Sequence, residues 1–191
     1  MEKYYPLKIG PITKKLPLVS VDKNTVIALL VLMGDSRFTC QIAKQLKQKY
    51  LNNINFDYIV TSEALGIPLA EELSRITKHF QYVVLRKSIK AYMKDPVTLA
   101  VKSITTKGSQ KLVLNGSDAD LIKNKKVVLV DDVVSTGGTI DSSRKLIEKA
   151  GGKVVKQLTI LAEGQGKKRK DVNFLSSIPM FKKEGDSLKE I

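Results

Sequence analysis

Residues 127–130, Val-Val-Leu-Val, are apolar at four consecutive positions and rich in β-branched side chains. A strand that is apolar at every position must be covered on both faces, which is typical of strands inside parallel sheets. Similar short β-rich segments recur along the chain, and segments of helical periodicity lie between several of them. Strands that alternate with helices of this length indicate βαβ units. The sequence therefore predicts an α/β fold, a parallel sheet with helices on both of its faces.

The individual elements follow from the same patterns. Strands are predicted at four β-rich segments, residues 56–61, 81–86, 126–130 and 153–161. Helices are predicted where apolar side chains recur every three or four residues, as in the sets Phe38/Ile42/Leu46, Leu69/Leu73/Ile76 and Ile140/Ile147. The third helix should stop at Gly151-Gly152, because glycine adopts the left-handed conformation that ends many helices.

Two regions depart from this alternation. Residues 1–25 contain three prolines and are predicted to form extended or turn structure packed on the core. Residues 91–125 are polar, with turn signals such as Asn115-Gly116 around two possible strand pieces. A long insertion in an otherwise compact α/β chain is usually functional or mobile.

The length and composition fit a single domain over residues 1–191. Hydrophobic residues make up 42% of the chain and charged residues 27%, close to the usage of an average globular protein. The longest apolar run, residues 26–33, is far shorter than the ~20 residues that a membrane-spanning helix needs. The only cysteine, Cys40, cannot form an internal disulfide, which fits a reducing compartment. We therefore expect a cytoplasmic protein without a membrane partner.

The chain is strongly basic, with 33 Lys and Arg against 19 Asp and Glu, and a net charge of +14. Of these cations, 28 are lysines and 5 are arginines. Arginine is the residue that binds phosphates with a planar fork, so a scattered lysine excess argues against nucleic acid as a partner. The positive field still favours anionic ligands and speeds the capture of a phosphorylated small molecule. The basic run at residues 167–170 (KKRK) is interpreted as a solvated turn.

Residues 127–139, V-V-L-V-D-D-V-V-S-T-G-G-T, carry the most chemical information. The predicted strand delivers Asp131 and Asp132 to its carboxyl end, the edge at which α/β sheets bind ligands. Five residues then turn into the start of the third helix: Ser135, Thr136, Gly137, Gly138 and Thr139.

This turn is typical of a phosphate site. Its backbone N–H groups and three hydroxyls can face an anion at a helix N-terminus, where the helix dipole adds to the attraction. The two glycines let the main chain approach the anion closely, since a side chain would intrude there. The two upstream carboxylates suit a vicinal diol or a hydrated divalent cation. Together these features predict a pocket for a sugar that carries a terminal phosphate.

Residues 127–139 resemble the phosphoribosyl pyrophosphate (PRPP) signature of type I phosphoribosyltransferases. Three further segments extend the resemblance over most of the chain, and they are closest to the adenine and xanthine branch of that family. Residues 61–68 (TSEALGIP) resemble the pyrophosphate loop, residues 86–90 (RKSIK) the basic stretch after the next strand, and residues 95–114 part of the flexible lid.

The resemblance implies a fold and a reaction. The fold is a five-stranded parallel sheet with a lid at about residues 91–114 and a small hood from about residues 1–25 and 162–191. In the reaction, a nitrogen of a purine base displaces pyrophosphate from C1 of the ribose through a transition state that resembles an oxocarbenium ion. Mg²⁺ would bridge ribose hydroxyls and pyrophosphate oxygens. Members of the family usually form homodimers.

The resemblance also implies residue roles. Asp131 and Asp132 would hold the ribose hydroxyls, stabilise the developing positive charge and could contact Mg²⁺, and the loop 135–139 would bind the 5-phosphate. The pyrophosphate would be bound by residues of two segments, namely Glu63, Ala64, Leu65, Gly66, Arg86, Lys87 and Lys90. The lid would exclude water from the activated sugar through its central residues Ser103, Thr105 and Thr106.

The identity of the base stays open at this point. Hypoxanthine-guanine enzymes carry an aspartate where this chain has Ser135, whereas the adenine branch carries a small or neutral residue. The xanthine branch places a lysine directly after a glutamate, but here Lys167 lies three positions later than that site after Glu163. Leu65 departs from the arginine of typical adenine enzymes. We therefore expect adenine as the base, with xanthine and hypoxanthine as alternatives.

Two other functions compete with purine salvage. Purine-operon repressors that sense PRPP resemble the same branch, including the stretch G-I-P-L-A at residues 66–70. Such a regulator needs a DNA-reading module, and the proline-containing residues 1–25 do not favour a recognition helix. An orotate phosphoribosyltransferase is the other alternative, although residues 86–90 and the Glu63 loop match the purine branch better.

Overall fold

The computed structural model describes residues 4–101, 110–185 and 187–191. The helices within these ranges are α1 (Ser36–Leu46), α2 (Ile67–Thr77), α3 (Gly116–Ile122) and α4 (Gly138–Lys149), with a π-helical turn at Lys47–Leu51 and a 3-10 turn at Gly164–Lys168. The strands are β1 (Tyr4–Ile9), β2 (Ile12–Ser20), β3 (Thr25–Ala28), β4 (Tyr58–Ser62), β5 (Tyr82–Leu85), β6 (Val97–Val101), β7 (Gln110–Leu114), β8 (Lys126–Val134), β9 (Lys153–Ala162), β10 (Asn173–Ser177), β11 (Met180–Glu184) and β12 (Ser187–Glu190).

The central sheet has five strands in the order β10-β9-β8-β4-β5, and every neighbouring pair is parallel. Strand β8 lies in the middle, and residues 127–130 are at most 1% exposed. Val128 and Val130 pack into a cluster with α1 and α2, whereas Val127 and Leu129 pack into a second cluster with α3 and α4. The expected five-stranded parallel sheet with helices on both faces is confirmed.

A second sheet is built from both ends of the chain. It has the antiparallel order β1-β2-β3-β11-β12, so residues from the two terminal segments pair with each other. Asn173–Ser177, within the segment assigned to the hood, instead forms β10 of the central sheet. The reason is local: Phe174 packs into the cluster beside α4, while Leu175 packs into the cluster beside α1.

The region around residues 91–125 contains the two expected strand pieces and one helix that the sequence did not predict. Strands β6 and β7 pair as an antiparallel hairpin. Helix α3 has only seven residues, too few to display a clear periodicity. The lid residues Ser103, Thr105 and Thr106 lie outside the described residues. Across the described ranges, the helices are too short or too polar to cross a membrane.

Candidate functional site

Asp131 and Asp132 lie inside β8, because this strand continues to Val134 instead of ending at Val130 as predicted. The extension arises because β9 keeps pairing with β8 as far as Ala162. On its other side, β4 pairs with β8 only up to Val130. The two carboxylates therefore sit on a strand that projects beyond its neighbour, at the carboxyl edge of the sheet.

The Asp131 carboxylate accepts two hydrogen bonds. Its Oδ1 accepts a hydrogen bond from the Asp132 backbone N–H at 3.0 Å, and the Ser62 hydroxyl at the end of β4 donates to Oδ2 at 3.4 Å. Burial raises the pKa of Asp131 well above its ordinary value, and the charge of Asp132 raises it further. The Asp131 carboxylate thus lies in an environment that disfavours its negative charge.

Asp132 shares this environment. Burial raises the pKa of its carboxyl, although the nearby ammonium of Lys87 acts in the opposite direction. Two adjacent carboxylates with little compensating charge attract a cation or a developing positive charge. The pair fits Mg²⁺ in the way that this ion usually binds, through one or two carboxylates with substrate oxygens and water completing the shell. The described residues contain no larger cluster of metal ligands.

The loop 135–139 lies next to these carboxylates. A cavity of about 100 Å³ is lined by Asp131, residues 133–134 and the loop up to Ile140, which is room for several water-sized groups. Helix α4 begins within the loop, at Gly138, whose N–H donates to the Thr136 hydroxyl at 3.4 Å. The first N–H groups of α4 have no intrahelical partner, so this end can bind an anion.

Gly137 makes the sharp turn into α4. Its φ of +90° lies in the left-handed region, which side chains other than glycine rarely adopt. A Cβ on Gly137 would also overlap the guanidinium of Arg169. The requirement for glycine therefore has two causes, the backbone conformation and this neighbouring side chain, in addition to the expected close approach of an anion.

The expected pyrophosphate loop follows β4 and is fastened to the end of β5. Glu63 donates its backbone N–H to the Leu85 carbonyl at 2.9 Å. Its carboxylate accepts hydrogen bonds from the Lys87 backbone N–H at 2.6 Å and from Arg86 Nη1 at 3.1 Å. These two bonds lower the pKa of Glu63 although burial acts against them. The side chain of Glu63 therefore anchors the loop, a role that the sequence did not indicate.

The remaining loop residues differ in exposure. Ala64 is exposed and Leu65 is half-buried, whereas Gly66 is buried at the start of α2. A Cβ on Gly66 would overlap the Thr61 hydroxyl and lie 3.0 Å from Asp131 Oδ1. The loop thus packs directly on the carboxylate edge of β8.

The basic residues after β5 are only partly available to a ligand. The Arg86 guanidinium is paired with Glu63, and the Arg86 backbone exchanges two hydrogen bonds of 2.8 Å with Val113 of β7. Lys90 donates from Nζ to the Ser88 hydroxyl at 2.8 Å. Arg86 therefore links the loop to the hairpin, and it cannot neutralise a pyrophosphate without sharing its charge with Glu63.

Two residues near the loop 135–139 make contacts that the sequence did not predict. The sequence predicts a solvated turn at Arg169, but its side chain is only 18% exposed and forms ion pairs with Asp141 and Asp171. Glu163 follows β9 and is 8% exposed. Burial raises the pKa of its carboxyl, and a hydrogen bond from Ser135 opposes that rise. No local motif indicates these roles: Asp171 is close to Arg169 in the sequence, but its other partner Asp141 and the Ser135 partner of Glu163 are distant.

Residues 36–186 match the profile of the phosphoribosyl transferase domain. The hypoxanthine/guanine phosphoribosyltransferase of Methanococcus voltae is 36% identical over 138 residues, which is 71% of this chain and 70% of that protein. The corresponding protein of Methanothermococcus okinawensis is 31% identical over 156 residues, which is 81% of each chain.

A solved structure agrees with the fold. The adenine phosphoribosyltransferase of Thermoanaerobacter pseudethanolicus superposes with a TM-score of 0.66 and 23% identity, and the match covers 92% of this chain and 96% of that one. The profile match, the sequence relatives and this common architecture lead to one conclusion. This chain belongs to the type I phosphoribosyltransferase family, a class of pentosyltransferase enzymes.

Proposed function

We propose that this protein transfers the 5-phosphoribosyl group of PRPP to a 6-oxopurine such as hypoxanthine or guanine, and releases pyrophosphate. The observation that carries the proposal is the position of the Asp131–Asp132 pair beside the loop 135–139, at the carboxyl edge of a parallel sheet. The relatives at 31–36% identity are named for hypoxanthine and guanine. They support a 6-oxopurine over the adenine that the sequence motifs favoured.

Hydrogen-bond donors hold the phosphate, and negatively charged side chains hold the ribose. The backbone N–H groups at the start of α4 bind the 5-phosphate, and the carboxylates of Asp131 and Asp132 accept hydrogen bonds from the ribose hydroxyls. As the bond from C1 to pyrophosphate breaks, positive charge grows on the ribose, and the two carboxylates stabilise that charge. This stabilisation is strong because the two half-buried carboxylates carry an unfavourable negative charge until a positive charge forms beside them.

Mg²⁺, when bound with PRPP, would neutralise the departing pyrophosphate, and Asp131 and Asp132 are the residues that fit it. The loop that begins at Glu63 then holds the pyrophosphate with its backbone, because Glu63 itself is occupied by Arg86 and Lys87. Lys87 and Lys90 supply the nearby positive charge. A lid that contains Ser103, Thr105 and Thr106, a homodimeric assembly and a cytoplasmic location remain part of this proposal.

Glu163 offers the acid–base group that the signature lacks at Ser135. In a 6-oxopurine, one imidazole nitrogen attacks C1 while the other must lose its proton. A carboxylate whose pKa is raised by burial is a stronger base than an ordinary carboxylate and is suited to accept that proton. A base at Glu163 would serve a 6-oxopurine although Ser135 stands in place of an aspartate.

Adenine is the second candidate. A small residue at position 135 is what the adenine branch carries, and Glu163 could also accept a hydrogen bond from the exocyclic amine of adenine. The two candidates make different demands on Glu163, since adenine recognition needs an acceptor and the 6-oxopurine reaction needs a base.

The test is PRPP- and Mg²⁺-dependent pyrophosphate release with hypoxanthine, guanine, adenine, xanthine and orotate in parallel. We expect turnover with hypoxanthine or guanine, whereas turnover with adenine alone would overturn the choice of base. Measurable PRPP binding without turnover of any base would identify a sensor instead of an enzyme.

The variant Glu163→Gln refines this test. It should lower kcat for the preferred 6-oxopurine by about 10²-fold and remove the acidic limb of its pH profile, because glutamine cannot accept a proton. The exposed Glu148→Gln on α4 serves as the matched control and should retain the parental profile. An unchanged pH profile in Glu163→Gln would exclude Glu163 as the base.

A further inference from the structure

The Arg169 side chain lies against the loop 135–139. Its Nη1 and Nη2 donate to the two carboxylate oxygens of Asp141 at 2.8 and 2.6 Å. Its Nε and Nη2 donate to the two oxygens of Asp171 at 3.0 and 2.6 Å. One guanidinium thus binds two carboxylates in bidentate fashion, the geometry that lysine cannot reproduce. We call Arg169, Asp141 and Asp171 the arginine clamp.

The clamp is anchored in the central sheet. Gln157 of β9 is 6% exposed, and its Nε2 donates to the Asp171 backbone carbonyl at 3.2 Å and to Oδ2 at 3.3 Å. On the other side, Asp141 lies in the first turn of α4, and its backbone N–H donates to the Gly137 carbonyl at 2.9 Å. The clamp therefore connects a buried strand to the turn that begins the phosphate-binding helix.

Arg169 also contacts the loop itself. A Cβ on Gly137 would overlap Nη1 of Arg169 and would lie 3.0 Å from its Cζ. The planar guanidinium must therefore lie directly against the Gly137 backbone. Because Gly137 carries no side chain, the guanidinium packs directly on its main chain. This contact restricts the movement of this part of the loop.

The charge of Asp141 explains why such a clamp is needed. A negative side chain in the first turn stabilises an empty helix N-terminus, but it competes with and repels an anionic ligand at the same place. Asp141 is the acidic residue of that turn in α4. Arg169 binds both of its oxygens and offsets part of the charge that would oppose a phosphate, because its single positive charge is shared between Asp141 and Asp171.

We propose that Arg169 is a positioning residue for PRPP, which offsets the negative charge beside the α4 N-terminus and holds the Gly137 turn in its phosphate-binding shape. This inference rests on the proposed function, because it takes the loop 135–139 as the 5-phosphate site. It assigns to the C-terminal basic run a role in ligand affinity that the neighbouring lysines do not share.

The test is calorimetric titration of PRPP with Mg²⁺ into the full-length protein and its variants. Arg169→Met should raise the Kd for PRPP about tenfold, because the uncompensated Asp141 then repels the phosphate. Arg169→Lys keeps the positive charge without the fork and should show a smaller increase. The exposed Lys168→Met removes a charge from the same turn and should bind PRPP like the parent.

The double variant Asp141→Asn/Arg169→Met separates charge from general damage. It restores the net charge of the parental clamp without restoring its contacts, so we expect its Kd to recover part of the way from the Arg169→Met value to the parental one. Circular dichroism melts of each variant check that it is folded. A parental Kd in Arg169→Met, or a double variant that binds as weakly as the single one, would overturn the inference.

The failure of the proposed function would look different. In that case the parent protein itself would not bind PRPP, whereas failure of the inference alone leaves PRPP binding by the parent intact.

Discussion

Gly66→Ala tests whether the pyrophosphate loop positions the carboxylate edge of the sheet. The backbone of Gly66 has φ of −74° and ψ of −16°, which alanine adopts without strain. The added Cβ would overlap the Thr61 hydroxyl and would lie 3.0 Å from Asp131 Oδ1 and 3.4 Å from Asp131 Cα. Any cost of the substitution must therefore come from these contacts and not from the conformation of the chain.

The size of the effect follows from the packing. Thr61 is fully buried and cannot swing away, so the strand or the loop must shift. Inserting a methyl group into such a site costs about 1–3 kcal/mol, which lowers Tm by about 5 °C in a protein of this length. A displaced Asp131 should also lower kcat by about tenfold or more, because small misplacements of catalytic groups are costly.

The assay combines a thermal melt with pyrophosphate release at saturating PRPP. Thr61→Ala removes the overlapped hydroxyl, so the double variant Thr61→Ala/Gly66→Ala should recover part of the lost Tm relative to Gly66→Ala alone. Thr61→Ala by itself is the matched control. If Gly66→Ala melts and turns over like the parent, the contact between loop and strand does not matter and the reasoning is refuted.

Two further substitutions should change the Tm in opposite directions. The pKa of Asp131 is raised in the folded protein, so the apo protein is most stable with this group protonated and loses stability as pH rises through that pKa. Asp131→Asn should therefore raise Tm at neutral pH, with a gain that shrinks as the pH is lowered, while turnover falls; a lower Tm at neutral pH would contradict this. Gly137→Ala combines a φ of +90° with overlap on Arg169, so both Tm and PRPP affinity should fall. Calorimetry that returns the parental Kd would show that the loop tolerates the side chain.

The sequence predicted those parts of the molecule that depend on local pattern. The consecutive apolar residues 127–130 indicated a strand covered on both faces, and this strand is the centre of the sheet. The short run from Asp131 to Thr139 is contiguous, so its carboxylates and its helix N-terminus are brought together by the chain itself. Helix α4, the third helix predicted from the sequence, ends at the predicted glycines, and Gly151 has a φ of +85°.

The features that could not be predicted depend on residues distant in sequence. The end of β8 is set by β9, which continues to pair beyond the point where β4 stops. In the sequence, Arg169 is one of several adjacent cations. Only the folded chain brings Asp141 within hydrogen-bonding distance of its guanidinium. Glu63 likewise reads as a loop residue until the end of β5 is placed beside it.

The most direct test of the central claim is a crystal structure of the parent protein with PRPP and Mg²⁺. Our account predicts the 5-phosphate on the backbone N–H groups of residues 135–139 and the ribose hydroxyls within hydrogen-bonding distance of Asp131 and Asp132. A PRPP molecule bound elsewhere, or with its pyrophosphate end on the α4 N-terminus, would contradict the account.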